Sequence, residues 1–143
     1  MNDKGFKYQF IPVRLRDLDA EPGDLLVASL FSEDRPPVGL AGLVDWRMDG
    51  LLSRIRMTTD NPDLDNPHYR GLALGPFKAA AGEKLLFPPG RTLPFFMVLI
   101  VGLGSRAAYA SQSYRHIVKS ILETAASMKI SRLALQLPGW SVA

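Results

Sequence analysis

The sequence predicts an α/β domain, a mixed sheet flanked by helices in three layers. Three observations predict it. The runs Leu25 to Phe31 (LLVASLF) and Phe95 to Val101 (FFMVLIV) are apolar throughout instead of alternating, as strands covered on both faces are. Segments 43–56 and 111–129 repeat apolar residues at the helical period. Strands and helices alternate along the chain, the order that builds layered α/β folds. A chain of 143 residues makes one domain, spanning 1–143, and buries about two-thirds of its unfolded surface.

Each element follows from its residues. Tyr8 to Arg14 (YQFIPVR) alternates as a strand does, and Pro12 confines it to an edge because it removes a ladder donor. Glu21-Pro22-Gly23-Asp24 is turn chemistry, and the first long apolar strand follows it. Over 43–56, Val44, Met48, Leu51, Leu52 and Ile55 form one apolar stripe, so a single helix is expected, with Gly50 inside it costing about 1 kcal/mol relative to alanine. Residues 57–76 carry Asn-Pro twice and read as an extended loop. Glu83 to Phe87 is a short strand ended by Pro88-Pro89-Gly90. Phe95 to Val101 combines aromatic and branched residues, which suit a strand. In the second helix, Tyr114, Ile117, Val118, Ile121, Leu122, Ala125 and Met128 make the buried stripe. Ser111 or Ser113 suits its cap and Lys129 its carboxyl end. Arg132 to Leu137 closes the series as a strand stopped by Pro138-Gly139.

Composition excludes several functions. Hydrophobic residues make up 47% and charged residues 22%, which excludes global disorder. The longest apolar run is about half of the ~20 residues a membrane helix needs, so no membrane partner is expected. Without a secretory pattern at the start, the cytoplasm is the default. There is no cysteine, hence no disulfide, thiolate metal site or cysteine nucleophile. A net charge of +3, with arginines scattered along the chain, gives no reason to expect nucleic acid.

Few motifs carry chemistry. Gly102-Leu103-Gly104-Ser105-Arg106-Ala107 fits G-x-G-x-x-A between a strand and a helix, the context of a dinucleotide turn. The acidic residue such a site places about twenty residues on is missing, so a plain strand-to-helix turn is the competing reading. Asp60, Asp63, Asp65 and His68 share one loop but lack the spacing of a calcium loop, and they also suit turns; no metal is expected. His68 and His116 are the available imidazoles, and neither has a nucleophile elbow or P-loop nearby. Trp46 and Trp140 suit the core or an interface better than a ligand platform.

Segment order and several motifs resemble the N-terminal domain of the leucyl (cytosol) aminopeptidase family over about residues 8 to 138. The residues that carry the likeness are Gly23-Asp24-Leu25-Leu26-Val27-Ala28-Ser29-Leu30-Phe31, Leu43-Val44-Asp45 with Gly50-Leu51-Leu52, Phe77-Lys78 with Gly82-Glu83, and Val98-Leu99-Ile100-Val101-Gly102-Leu103-Gly104 before an alanine-containing helix. The resemblance implies a macro-domain-like three-layer α/β fold. In that family, peptidase chemistry belongs to a separate C-terminal domain, where a lysine and several carboxylates, some from an N-T-D-A-E-G-R motif, hold two metal ions. No such motif occurs here, so no catalytic residue and no cofactor carries over. The family's further covering helix is not matched after the last strand. An uncovered edge near Arg132 to Trp140 invites association.

The resemblance thus implies a free-standing, non-catalytic relative acting in protein assembly or regulation, with itself as a homo-oligomer or with a partner protein. The alternative is a macro-like module for ADP-ribose or a related nucleotide. Its crevice would use Gly102, Gly104 and Ser105 near phosphates and Asp24 near adenine, although the Asn-rich segment of ADP-ribose binders is replaced by Ala28-Ser29-Leu30-Phe31-Ser32. An enzyme acting on such a nucleotide lacks an evident general base.

Overall fold

A computed structural model describes residues 7–60 and 77–139, without the side chains of 56–60. The elements in chain order are α1 (Leu15–Asp19), β1 (Gly23–Leu30), α2 (Gly39–Arg47), α3 (Leu51–Asp60), β2 (Lys84–Phe87), β3 (Phe95–Gly102), α4 (Ser111–Ser127) and β4 (Leu133–Leu135). The sheet order is β2-β3-β1-β4. β1 pairs parallel with both β3 and β4, while β2 runs antiparallel to β3 on the outer edge.

The two apolar runs are the central strands because both of their faces are covered. Leu26, Ala28 and Leu30 of β1 join Val98 and Ile100 of β3 against Leu40, Val44, Leu52 and Ile55 of α2 and α3. Leu25, Val27, Leu99 and Val101 point the other way, onto Ile117, Ile121 and Ala125 of α4. Successive residues of a strand face opposite sides, so an uninterrupted apolar run serves two helical layers. The expected three-layer α/β architecture is present.

Several boundaries differ from expectation. Residues 8–14 do not form a strand; Arg14 N–H donates to Pro12 O at 2.9 Å in a local turn, and the chain then enters α1. The single helix expected over 43–56 is two. α2 begins earlier, at Gly39, and the chain breaks at Met48–Gly50. Asp49 and Gly50 have φ of 57° and 74°, outside the helical region. The buried Asp45 carboxylate drives the break: it accepts from Leu52 N–H at 2.7 Å, Ser53 N–H at 3.2 Å and the Ser53 hydroxyl at 2.6 Å. It thereby caps α3 from within the preceding helix. The apolar stripe is common to both helices, so periodicity does not reveal the break. The expected loop over 57–76 is helical as far as Asp60, and its remainder lies outside the described residues. At α4 the N-cap is Ala110, and Ser113 contributes from inside by accepting Ala110 N–H at 3.3 Å.

Candidate functional site

Two places on the sheet are relevant to function: the carboxyl ends of β1 and β3, where the motif lies, and the outer edge of β4. In open α/β sheets the carboxyl ends are the usual ligand crevice.

The backbone around Gly102–Ser105 is committed to the fold. Gly102 N–H donates to Glu83 O at 2.7 Å, Leu103 N–H to Leu30 O at 2.9 Å and Gly104 N–H to Ala79 O at 2.9 Å. A Cβ on Gly102 would lie 2.3 Å from the Ala80 carbonyl oxygen, so the glycine lets the chain at 79–82 cross directly against the strand end. Ser105 accepts from Ala108 N–H at 3.2 Å. The turn does not open the helix as a dinucleotide turn does, since α4 begins only at Ser111.

The next amide holds a carboxylate. Both Glu33 oxygens accept from Arg106 N–H at 3.1 Å, and this bond holds the Glu33 carboxyl below its usual range. The Arg106 guanidinium donates to Asp34 Oδ1 at 2.6 Å and lies 4.3 Å above the Phe31 ring. Phe31 packs edge-on against Tyr109 with centroids 5.2 Å apart, and the Tyr109 hydroxyl donates to Pro138 O at 2.9 Å. Burial pushes the Tyr109 phenol up. These contacts tie together the three loops beyond the strand ends and place two carboxylates where an anionic ligand would approach.

Asp24 stands elsewhere. Its Oδ2 accepts from Ser131 N–H at 2.9 Å and Arg132 N–H at 3.0 Å, anchoring the turn into β4. Those two bonds hold its carboxyl below the usual value. The parallel register pairs Gly23 with Phe95 and Leu30 with Gly102, so Asp24 and Gly102 sit at opposite ends of the sheet. About six residues of strand, roughly 20 Å, separate them. Of the four residues expected to share a crevice, Gly102, Gly104 and Ser105 share one turn and Asp24 stands apart from them.

The edge of β4 lies beside a groove of about 760 Å³. Residues 7–13 form one wall, 131–136 form the other, and Leu26 and Leu40 are among the lining. β1 uses alternate peptide groups of this strand. Arg132 O accepts from Asp24 and Leu25 N–H at 2.9 and 3.2 Å, and Gln136 N–H donates to Val27 O at 3.3 Å. The peptide groups of Leu133 and Leu135 consequently face away from β1, and among the described residues they have no partner. Gln136 also reaches across the fold: its Oε1 accepts from Leu40 N–H at 3.1 Å and caps α2, whose own N-cap Val38 has no side-chain bond to offer. On the opposite wall Tyr8 and Phe10 are 82% and 92% exposed, with their rings edge-to-face at 6.0 Å.

Sequence reasoning missed the groove, the Gln136 cap and the Glu33–Arg106 clamp, because each joins residues far apart in the chain. The pattern of 8–14 was the available signal for the groove: it is a strand-like run with no place in the sheet. Trp46 is 75% exposed on α2. Asp63, Asp65, His68 and Trp140 lie outside the described residues. Among the described residues no group of three or more His, Cys, Asp or Glu side chains is placed to hold a metal ion, and no helix is long and apolar enough to cross a membrane.

The model of the cytosol aminopeptidase family's N-terminal domain matches residues 63–143. Among solved structures, a mutant of tomato leucine aminopeptidase is similar, with a TM-score of 0.54 and 21% identity. That likeness is one of fold. It covers 80% of this chain and 20% of the tomato chain, so the chain spans about a fifth of the length of that relative. Comparison with the curated proteins gives no match.

Proposed function

The chain belongs to the cytosol aminopeptidase family, in the region of its N-terminal domain, and on that premise we propose that it works by assembly and not by chemistry, its partner being a second copy of itself at the β4 edge. One observation carries the reading: among the described residues the outward peptide groups of Leu133 and Leu135 are unpaired, beside a groove of mixed polar and apolar lining. An unpaired edge is a ready template for another chain, and proteins that do not use one usually blunt it. The three residues of β4 itself are uncharged, Leu, Ala and Leu, while Arg132 just before them pairs with Glu21 at 3.7 Å.

The test is sedimentation equilibrium from sub-micromolar to tens of micromolar chain, with hydrogen exchange read at the Leu133 and Leu135 amides. Concentration-dependent dimers whose formation slows exchange at both amides support the reading. A species that stays monomeric throughout overturns it. The alternative, an ADP-ribose module, is measured on the same sample by calorimetric titration. Micromolar binding, worth about −8 kcal/mol, would displace the assembly reading in favour of a ligand at the sheet's carboxyl ends. The carboxylates of Glu33 and Asp34 at that end favour silence.

A further inference from the structure

We propose that the dimer contact is made by Tyr8 and Phe10 of each copy entering the groove of the other, with the extended backbone of residues 8–11 lying along β4. The proposal rests on the assembly reading above and names the surface that accomplishes it. A two-fold contact needs one patch that is complementary to itself. This face has both halves: an exposed aromatic pair on one wall, and a recess floored by Leu26 and Leu40 with a strand edge beside it that has no partner among the described residues.

The segment has the properties of a strand lacking a ladder. Its sequence alternates as a strand's does, and the Tyr8 and Phe10 rings lie together, edge-to-face at 6.0 Å. Among the described residues, the backbone of 8–13 makes one hydrogen bond outside regular elements, Pro12 O accepting from Arg14 N–H. Pro12 cannot donate to a ladder, so the segment suits a position added at an edge. A strand within packed sheets occupies about 4.8 by 10 by 3.3 Å per residue, roughly 160 Å³. A groove of about 760 Å³ thus has room for about five residues of extended chain.

The area is sufficient. Tyr8 and Phe10 expose most of their surface, about 300 Å² together for side chains of this class. Two copies contribute roughly 600 Å² from these rings, and the groove walls they cover lose a comparable amount. The total, about 1,200 Å², reaches the lower bound of specific stable interfaces. Aromatic residues entering a recess are also the usual centres of binding energy.

The full chain is tested in three forms: wild type, the double variant Tyr8→Ser with Phe10→Ser, and Leu122→Ser on the exposed face of α4 as a control. Tyr8 and Phe10 lie in water in the single chain, so the double variant keeps the far-UV spectrum and melting behaviour of a monomer. Sedimentation should show its dimer dissociation constant raised roughly 100-fold, with the control unchanged. The chain contains no cysteine, which permits a direct check. Phe10→Cys in one copy and Leu135→Cys in another, mixed and oxidised, should form a cross-linked heterodimer, because disulfides require Cα atoms within about 7 Å. If the double variant still dimerises with slowed Leu133 and Leu135 amides and the mixed cysteines do not cross-link, the aromatic contact is overturned while edge assembly stands. If wild-type dimers leave those amides exchanging freely, or no dimer forms, both are overturned.

Discussion

Lys129 occupies a backbone position that suits glycine. Its φ is 57°, and around it Lys129 N–H donates to Ala126 O and Ile130 N–H to Ala125 O, both at 3.1 Å. That pair of bonds closes α4 in the manner of a Schellman motif, whose left-handed residue is usually glycine. Lys129→Gly should raise stability by about 1 kcal/mol, read as a shift in the urea midpoint. Asp24 makes a second prediction. Its carboxylate is held below the ordinary range by the Ser131 and Arg132 amides. A depressed carboxyl contributes stability that is present above its unfolded pKa and lost as pH falls through its folded value. Stability should therefore decline from about pH 5 towards pH 2, and Asp24→Asn should flatten part of that decline in urea titrations across the range. Glu33, depressed by the Arg106 amide, supplies another part of the same acid limb.

At the level of elements, the break between α2 and α3 shows where periodicity stops being informative. Val44, Leu51, Leu52 and Ile55 keep one stripe across it, because both helices pack on the same sheet face. The Asp45 cap is written in the sequence as an ordinary acidic residue inside a helical pattern, and only its bonds to Leu52 and Ser53 disclose its role. Gly50→Ala separates the two readings. In a continuous helix alanine would stabilise by about 1 kcal/mol. At a φ of 74° it should instead destabilise by about 1 kcal/mol, measured by chemical denaturation. The segment 8–14 fails for a different reason. Its alternation is that of a strand, but a strand exists only with a neighbour, and β4 lies across a groove from it.

Across the whole molecule, the two ends of the sheet and its edge have different states of completion. The carboxyl ends are closed by internal contacts among Glu33, Asp34, Arg106, Phe31 and Tyr109. The β2 edge is outermost on one side, and its Lys84 ammonium donates to the Thr124 hydroxyl at 2.8 Å. Among the described residues the β4 edge has no neighbour on its outer side, and it lies near the exposed rings of Tyr8 and Phe10. If assembly occurs there, folding and association are linked, and stability depends on concentration. The melting temperature of the wild type should rise as the chain is concentrated from about 1 to 100 times the dimer dissociation constant. That of the Tyr8→Ser, Phe10→Ser variant should stay level, as calorimetry would record.

The sequence by itself determined the fold class, the two central strands, α4 and the family likeness. These follow from patterns within single segments: an apolar run can only serve two covered faces, and a 3.6-residue stripe can only serve one. Tertiary structure decided which residues share a site. Asp24 and Gly102 are distant because parallel pairing sets them at opposite ends, the Gly102–Gly104 amides are spent on Ala79, Glu83 and Leu30, and Gln136 caps a helix that begins nearly a hundred residues earlier. It also decided that 8–14 joins no strand of the described sheet. Hydrogen-bond partners distant in the chain are chosen by topology and register, and no local pattern encodes that choice.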